Sequence, residues 1–258
     1  MAKERLGSLE ELFWNHEWLG IKFESLEVQL YPNKLPTDEF YEKFYATLFS
    51  KYENFDALPL NWRENKTKIA MMLSQQIPTG KRVFSYGCGI GFIEYELFRM
   101  RPDIALTIYD FAENSSIWIR KYSDHIQFTN QINRNIISDV IFLSQVLYAL
   151  SFNESTELLQ NLRNGLAREG RIILVNTSFI QKENEKDTAK SKKTKIMKFL
   201  KQPVRKVYRF FNPIPKIQLW GYQRDVNRYT EIARKAGLKP TKIFSTANQS
   251  VIVLQREE

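Results

Sequence analysis

Three glycines fall within five residues in Gly87-Cys88-Gly89-Ile90-Gly91, between a short apolar run and an amphipathic stretch. Glycine adopts backbone conformations that other residues avoid and lets a ligand come close to the main chain. A helix that follows such a loop adds first-turn N–H groups that have no intrahelical partner. Asp110 lies 19 residues beyond Gly91, at the end of the next apolar run. In α/β nucleotide folds, an acid about 20 residues on accepts hydrogen bonds from ribose hydroxyls. The alternatives are structural: a tight turn for the glycines, and a helix N-cap for Asp110, since Ser115 and Ser116 follow. Proton-transfer candidates are few. His16 sits in the aromatic run Phe13-Trp14-Asn15-His16-Glu17-Trp18, and His125 precedes a short strand. Of the two, His16 is the better base candidate.

Alternating strands and helices must position these groups. Residues 82–86, 105–109, 126–129, 140–143 and 171–176 read as strands, and 92–99, 115–122 and 152–167 as intervening helices. Ser151-Phe152-Asn153-Glu154 is a capping box that opens the last of these, and Leu158, Leu159, Leu162 and Leu166 form its buried stripe. Helix 225–236 stops at Gly237, and residues 242–245 and 251–255 read as an antiparallel pair. This order predicts an α/β fold: a doubly wound, mostly parallel seven-stranded sheet with helices on both faces and an antiparallel C-terminal hairpin. Upstream, Phe40, Tyr41, Phe44, Tyr45, Leu48, Phe49 and Tyr52 recur at helical spacing behind Thr37, a candidate N-cap. A second helix is expected over 64–76. Twelve of the 35 aromatics lie in the first 60 residues, so this region is expected to be buried rather than disordered. The expected division is a helical, aromatic-rich N-terminal cap over 1–63 and a core over 64–258, with a basic insertion at about 179–219.

The G-x-G-x-G spacing resembles motif I of class I S-adenosylmethionine-dependent methyltransferases rather than the G-x-G-x-x-G of dinucleotide dehydrogenases. Leu106-Thr107-Ile108-Tyr109-Asp110 looks like that family's ribose-binding motif. Asp139 to Tyr148 looks like its fourth strand with the residues beside the transferred methyl, and Gly165-Leu166 through Val175 like the approach to its fifth strand. The resemblance covers about 65–178 and 222–256. It implies S-adenosylmethionine as cofactor, with no metal, held by Ser85, Tyr86, Gly87, Gly89, Gly91, Asp110, Phe111, Asn130, Ser144 and Gln145. It also implies in-line methyl transfer to a small molecule or glycan, free or lipid-linked, most often at oxygen, with Tyr148 and His16 as candidate catalytic groups. Trp14, Tyr31, Trp62, Trp220, Tyr222 and Arg224 are candidate acceptor contacts. The chain departs from the pattern twice. Ser85 stands where the family places an acid, and Asn130 where many relatives carry another. A binding or scaffold protein on a degenerate methyltransferase fold, and an RNA methyltransferase, are the competing functions.

The net charge of +9 is local. Residues 182–216 hold twelve Lys or Arg against three acids, so the remainder is close to neutral. Lys190 to Phe211 reads as a basic amphipathic helix. It fits peripheral contact with an anionic membrane, a phosphate-bearing ligand, or a lid packed on its own domain. Nucleic acid is not an expected partner. The lone Cys88 excludes an intrachain disulfide, and no run of about 20 apolar residues occurs to span a bilayer. A cytoplasmic location is the expectation, with attachment to the inner face of the membrane as the alternative if the basic segment binds lipid.

Overall fold

The computed structural model describes residues 9–131, 137–176, 216–246 and 249–257. In chain order the strands are β1 (Glu10–Asn15), β2 (Glu17–Trp18), β3 (Ile21–Lys22), β4 (Arg82–Tyr86), β5 (Ala105–Tyr109), β6 (Gln127–Thr129), β7 (Ser138–Ser144), β8 (Leu166–Asn176), β9 (Gln218–Arg224), β10 (Leu238–Thr246) and β11 (Gln249–Arg256). The α-helices are α1 (Asp38–Lys51), α2 (Leu60–Gln76), α3 (Phe92–Met100), α4 (Ile117–Tyr122), α5 (Phe152–Asn164) and α6 (Val226–Lys235).

Seven strands form one sheet in the order β10-β11-β8-β7-β4-β5-β6. β4 through β8 pair in parallel, while β11 runs antiparallel to both β8 and β10. The central strands are nearly continuous Val, Ile, Leu and Phe because both of their faces are covered. One face carries α5 and α6, packed through Leu158, Leu159, Leu162, Tyr229, Ile232 and Ala233. The other carries α1 to α4, with Phe40, Phe44, Leu73, Leu97 and Trp118 in its core. The predicted caps form: Thr37 accepts from Phe40 N at 3.3 Å, and Ser151 and Glu154 close a reciprocal capping box.

The N-terminal region is helical through α1, as expected, and also carries three short strands. Residues 10–15 form β1, which pairs antiparallel with β9, and β2 and β3 form a small ribbon. Local sequence does not specify this, because the partner strand lies some two hundred residues away and the pairing is a tertiary event. For the same reason Trp220-Gly221-Tyr222 lies inside a strand, β9. The helix expected to begin at 64 starts at Leu60, behind Pro59, and the strand expected over 171–176 begins at Leu166. The basic helix expected over 190–211 lies outside the described residues. Among the described residues no helix is long and apolar enough to cross a membrane.

Candidate functional site

The strand order reverses at β4: the chain reaches β5 and β6 on one side and β7 and β8 on the other. At such a switch point the loops diverge, leaving a crevice at the carboxyl ends of the strands. A cavity of about 370 Å³ lies there. The glycine loop and the ends of β5 and β7 form its floor, and Tyr41 and Tyr45 of α1 close it from above.

The floor is built around Asp110. Its Oδ2 accepts from Gly89 N at 2.8 Å and its Oδ1 from Ala112 N at 3.1 Å. A carboxylate offers about four acceptor sites, so each oxygen keeps capacity for a ligand hydroxyl. Burial raises the Asp110 carboxyl to about 6, against the two backbone donors that stabilise its charge. Gly89 has φ +55, and the nearest atom to a Cβ placed there is the Tyr45 hydroxyl at 3.4 Å. Its missing side chain therefore leaves backbone open to the cavity. Gly91 serves a different purpose. A Cβ there would lie 2.1 Å from Ile119, so this glycine lets α3 approach α4 and does not line the cavity.

Behind the loop lies a polar cluster. Ser85 is buried on β4 and donates from Oγ to Glu94 Oε1 at 2.6 Å. Glu94 Oε2 is buried and has no hydrogen-bond partner. Desolvation raises the Glu94 carboxyl to about 7, although the Ser85 hydrogen bond and the Lys66 charge oppose this. Lys66, buried on α2, donates from Nζ to Gln145 Oε1, and desolvation lowers it to about 8. Gln145 holds its side chain there from the left-handed region, at φ 58. Ser144 Oγ, also on the cavity wall, is buried without a partner.

Aromatic rings form the remaining wall. Tyr148, on the turn after β7, shares a hydrogen bond between hydroxyls with Tyr41. Burial raises Tyr148 to about 12, so its hydroxyl stays protonated at neutral pH. Gly221 makes room for it, since a Cβ at that position would lie 2.4 Å from the Tyr148 carbonyl oxygen. Trp18, Trp62 and Phe111 complete the wall.

Of the predicted residues, the cavity brings together Tyr86, Gly87, Gly89, Asp110, Phe111, Ser144, Gln145, Tyr148 and Trp62. It does not bring in His16, an exposed bend residue between β1 and β2 whose carbonyl accepts from Phe23 N. Ser85 supports Glu94 from beneath rather than facing a ligand. Asn130 is exposed past the edge strand β6, outside the lining. Trp14 is exposed on β1 and donates to Pro32 O at 2.7 Å. Tyr31 is held through its backbone by Gln218 and Leu219. Trp220 stacks on Phe23, with ring centroids 5.0 Å apart, inside the aromatic core. Tyr222 lies under the Arg224 guanidinium. Arg224 is fully buried, pairs with Glu10, and donates to Leu147 O and Leu150 O, both at 2.7 Å. It ties β1 and β9 to the turn after β7 and is not among the residues that line the cavity. Sequence reasoning missed Lys66, Glu94, Tyr41 and Tyr45. An acid three residues past the last glycine was the available signal for Glu94. Nothing local marks Lys66, whose neighbours on α2 are ordinary helix residues.

The O-methyltransferase domain family matches residues 64–239. No curated protein matches the chain. Similar solved structures include three methyltransferases. CalO1, a methyltransferase in calicheamicin biosynthesis in its SAH bound form, aligns with a TM-score of 0.53 at 15% identity, over 84% of this chain and 56% of that one. Mitomycin 7-O-methyltransferase MmcR aligns at 0.54 and 12% identity, over 84% and 57%. Human N-acetylserotonin methyltransferase in complex with SAM aligns at 0.54 and 14% identity, over 86% and 57%. At these identities the likeness is one of fold, and the chain spans a little over half the length of each.

Proposed function

Because this chain belongs to the O-methyltransferase domain family, we propose that it transfers a methyl group from S-adenosylmethionine to an oxygen of a small, ring-bearing molecule. The observation that carries this is Asp110, a buried carboxylate on the cavity floor, with spare acceptor capacity beside the open backbone of Gly89. Asp110 would accept the ribose hydroxyls, and Gly89 would let the ligand lie against the main chain. Phe111 and the Tyr86–Tyr109 pair, with ring centroids 4.7 Å apart, offer apolar surface on the β5 side. When bound, the cofactor supplies a methyl already activated on its sulfonium sulfur. The protein's remaining task is to align an acceptor oxygen with it and exclude water.

For that alignment the aromatic wall is suited. Trp18, Trp62 and Tyr148 line the cavity with aromatic rings on which an acceptor ring, a glycan's included, would pack. Tyr148 would orient the acceptor, entering as its oxyanion, through a hydrogen bond from its hydroxyl, while Tyr41 bonds to that hydroxyl. The alternation of apolar rings with few polar groups favours a small molecule over a charged polymer. The test is calorimetric titration with S-adenosylhomocysteine of the protein and of Asp110→Ala. Micromolar-range binding that the variant loses is the expected result. A variant that binds as well as the parent would remove Asp110 from the site, and no binding by the parent would remove the cofactor reading.

A further inference from the structure

The polar cluster behind the glycine loop is costly for the protein by itself. Glu94 and Lys66 carry opposite charges, are both buried, and both face the cavity. Among the described residues no direct ion pair joins them: Lys66 binds Gln145, and Glu94 leaves Oε2 without a partner. Opposite charges in one buried site ordinarily meet or are lost, because an uncompensated buried charge is strongly unfavourable. Here each is held by a neutral partner instead, Ser85 for Glu94 and Gln145 for Lys66. Gln145 takes up a left-handed backbone to do so. Such an arrangement suits a ligand that carries both charges close together.

Position along the sheet indicates which end of the ligand this is. Asp110 ends the β5 side of the cavity, and Gln145 ends the β7 side, with β4 and the glycine loop between them. A ligand with its ribose at Asp110 that extends across β4 reaches the Glu94–Lys66 side. We propose that Glu94 binds the α-ammonium and Lys66 the α-carboxylate of the cofactor's amino-acid end. Glu94 thereby brings from helix α3 the charge that Ser85 on β4 does not have. The inference rests on the cofactor reading above and adds to it the residues that read the zwitterion. Desolvation displaces both groups toward their neutral forms, and a bound zwitterion would reverse both displacements.

Ligand truncation tests this by binding alone. 5′-Methylthioadenosine keeps the adenosine and sulfur of S-adenosylhomocysteine but lacks the amino-acid end. The parent, Glu94→Gln and Lys66→Met are each titrated with both ligands, and melting confirms that each variant is folded. The expected result is that each variant binds S-adenosylhomocysteine about tenfold or more weakly, as for a lost charge-assisted hydrogen bond. Affinity for 5′-methylthioadenosine should stay within about twofold, since distant contacts add independently. Equal weakening of both ligands would make the pair a support for the glycine loop and overturn the proposal, as would no weakening of either. A parent that binds both ligands equally well would also overturn it while leaving the cofactor reading intact. A parent that binds neither would reject the cofactor reading itself, and the pair's role with it.

Discussion

The two faces of the central sheet are built on different terms. The face under α5 and α6 is aliphatic, with Leu158, Leu159, Leu162, Ile232 and Ala233 packed on Ile141, Leu143, Ile172 and Leu174. The opposite face is rich in aromatic rings and also contains Ser85, Glu94, Lys66 and Asp110, all buried. Burying aliphatic surface stabilises the fold at about 25 cal/mol per Å². Burying carboxyl and ammonium groups without full pairing works against it. The first face therefore supplies stability, and the second spends some of it to hold a preorganised pocket.

Cutting into the aliphatic face should produce the largest effect. Leu159→Ala removes a fully buried side chain and should lower stability by about 3 kcal/mol. Denaturant unfolding reads the loss, while affinity for S-adenosylhomocysteine measured below the unfolding transition should not change. A parallel loss of affinity would show that the two faces are not independent. On the aromatic face, Tyr148→Phe removes one hydroxyl and should lower kcat by about tenfold or more, as for loss of a group that aligns the acceptor oxygen. Cofactor affinity should be retained, and unchanged kcat with a recovered acceptor would reduce Tyr148 to a packing role.

A pH series narrows the comparison to one carboxylate. Asp110 must be ionised to accept both ribose hydroxyls, and burial has raised it to about 6. Affinity for 5′-methylthioadenosine should be flat above that value and fall about tenfold from pH 7.5 to pH 5. A flat profile would mean that the hydroxyls bind elsewhere. The smallest effect concerns stability. Glu94 is raised in the folded protein to about 7 from the usual 4.5. The folded state thus holds this proton more tightly, and its contribution to stability is lost as pH rises from about 4.5 through 7. Glu94→Gln can still accept from Ser85, so at pH 8 the ligand-free variant should melt no lower than the parent. A gain on the order of 1 kcal/mol is expected, because loss of the charge attracting Lys66 offsets part of the relief. Clear destabilisation would assign Glu94 to the framework rather than to the pocket.

How much of this could be read from the sequence depended on how local each feature is. The capping box at Ser151 and Glu154, the strand-loop-helix around Gly87 to Gly91, and the placement of Asp110 all follow from short-range patterns. Gly91 was legible as a glycine that must be there, but its reason, the approach of Ile119, was not. Residue type alone marks Trp14, Trp220 and Tyr222 as aromatic candidates. Residue type does not distinguish a ring that faces a ligand from one that faces another ring, and Trp220 stacks on Phe23.

By itself, the sequence determined the fold class, the glycine loop and the acid beyond it, because hydrophobic period, turn chemistry and spacing act over a few residues. The tertiary structure alone decided which side chains line the pocket. Pairing of β1 with β9 carries His16 to the outside, and Arg224 spends its donors on Glu10 and two carbonyl oxygens in the interior. Packing of α2 and α3 beneath the loop brings Lys66 and Glu94, 28 positions apart in the chain, to the same cavity. Charges meet in space by the way helices dock on a sheet, and no local pattern in the chain encodes that distance.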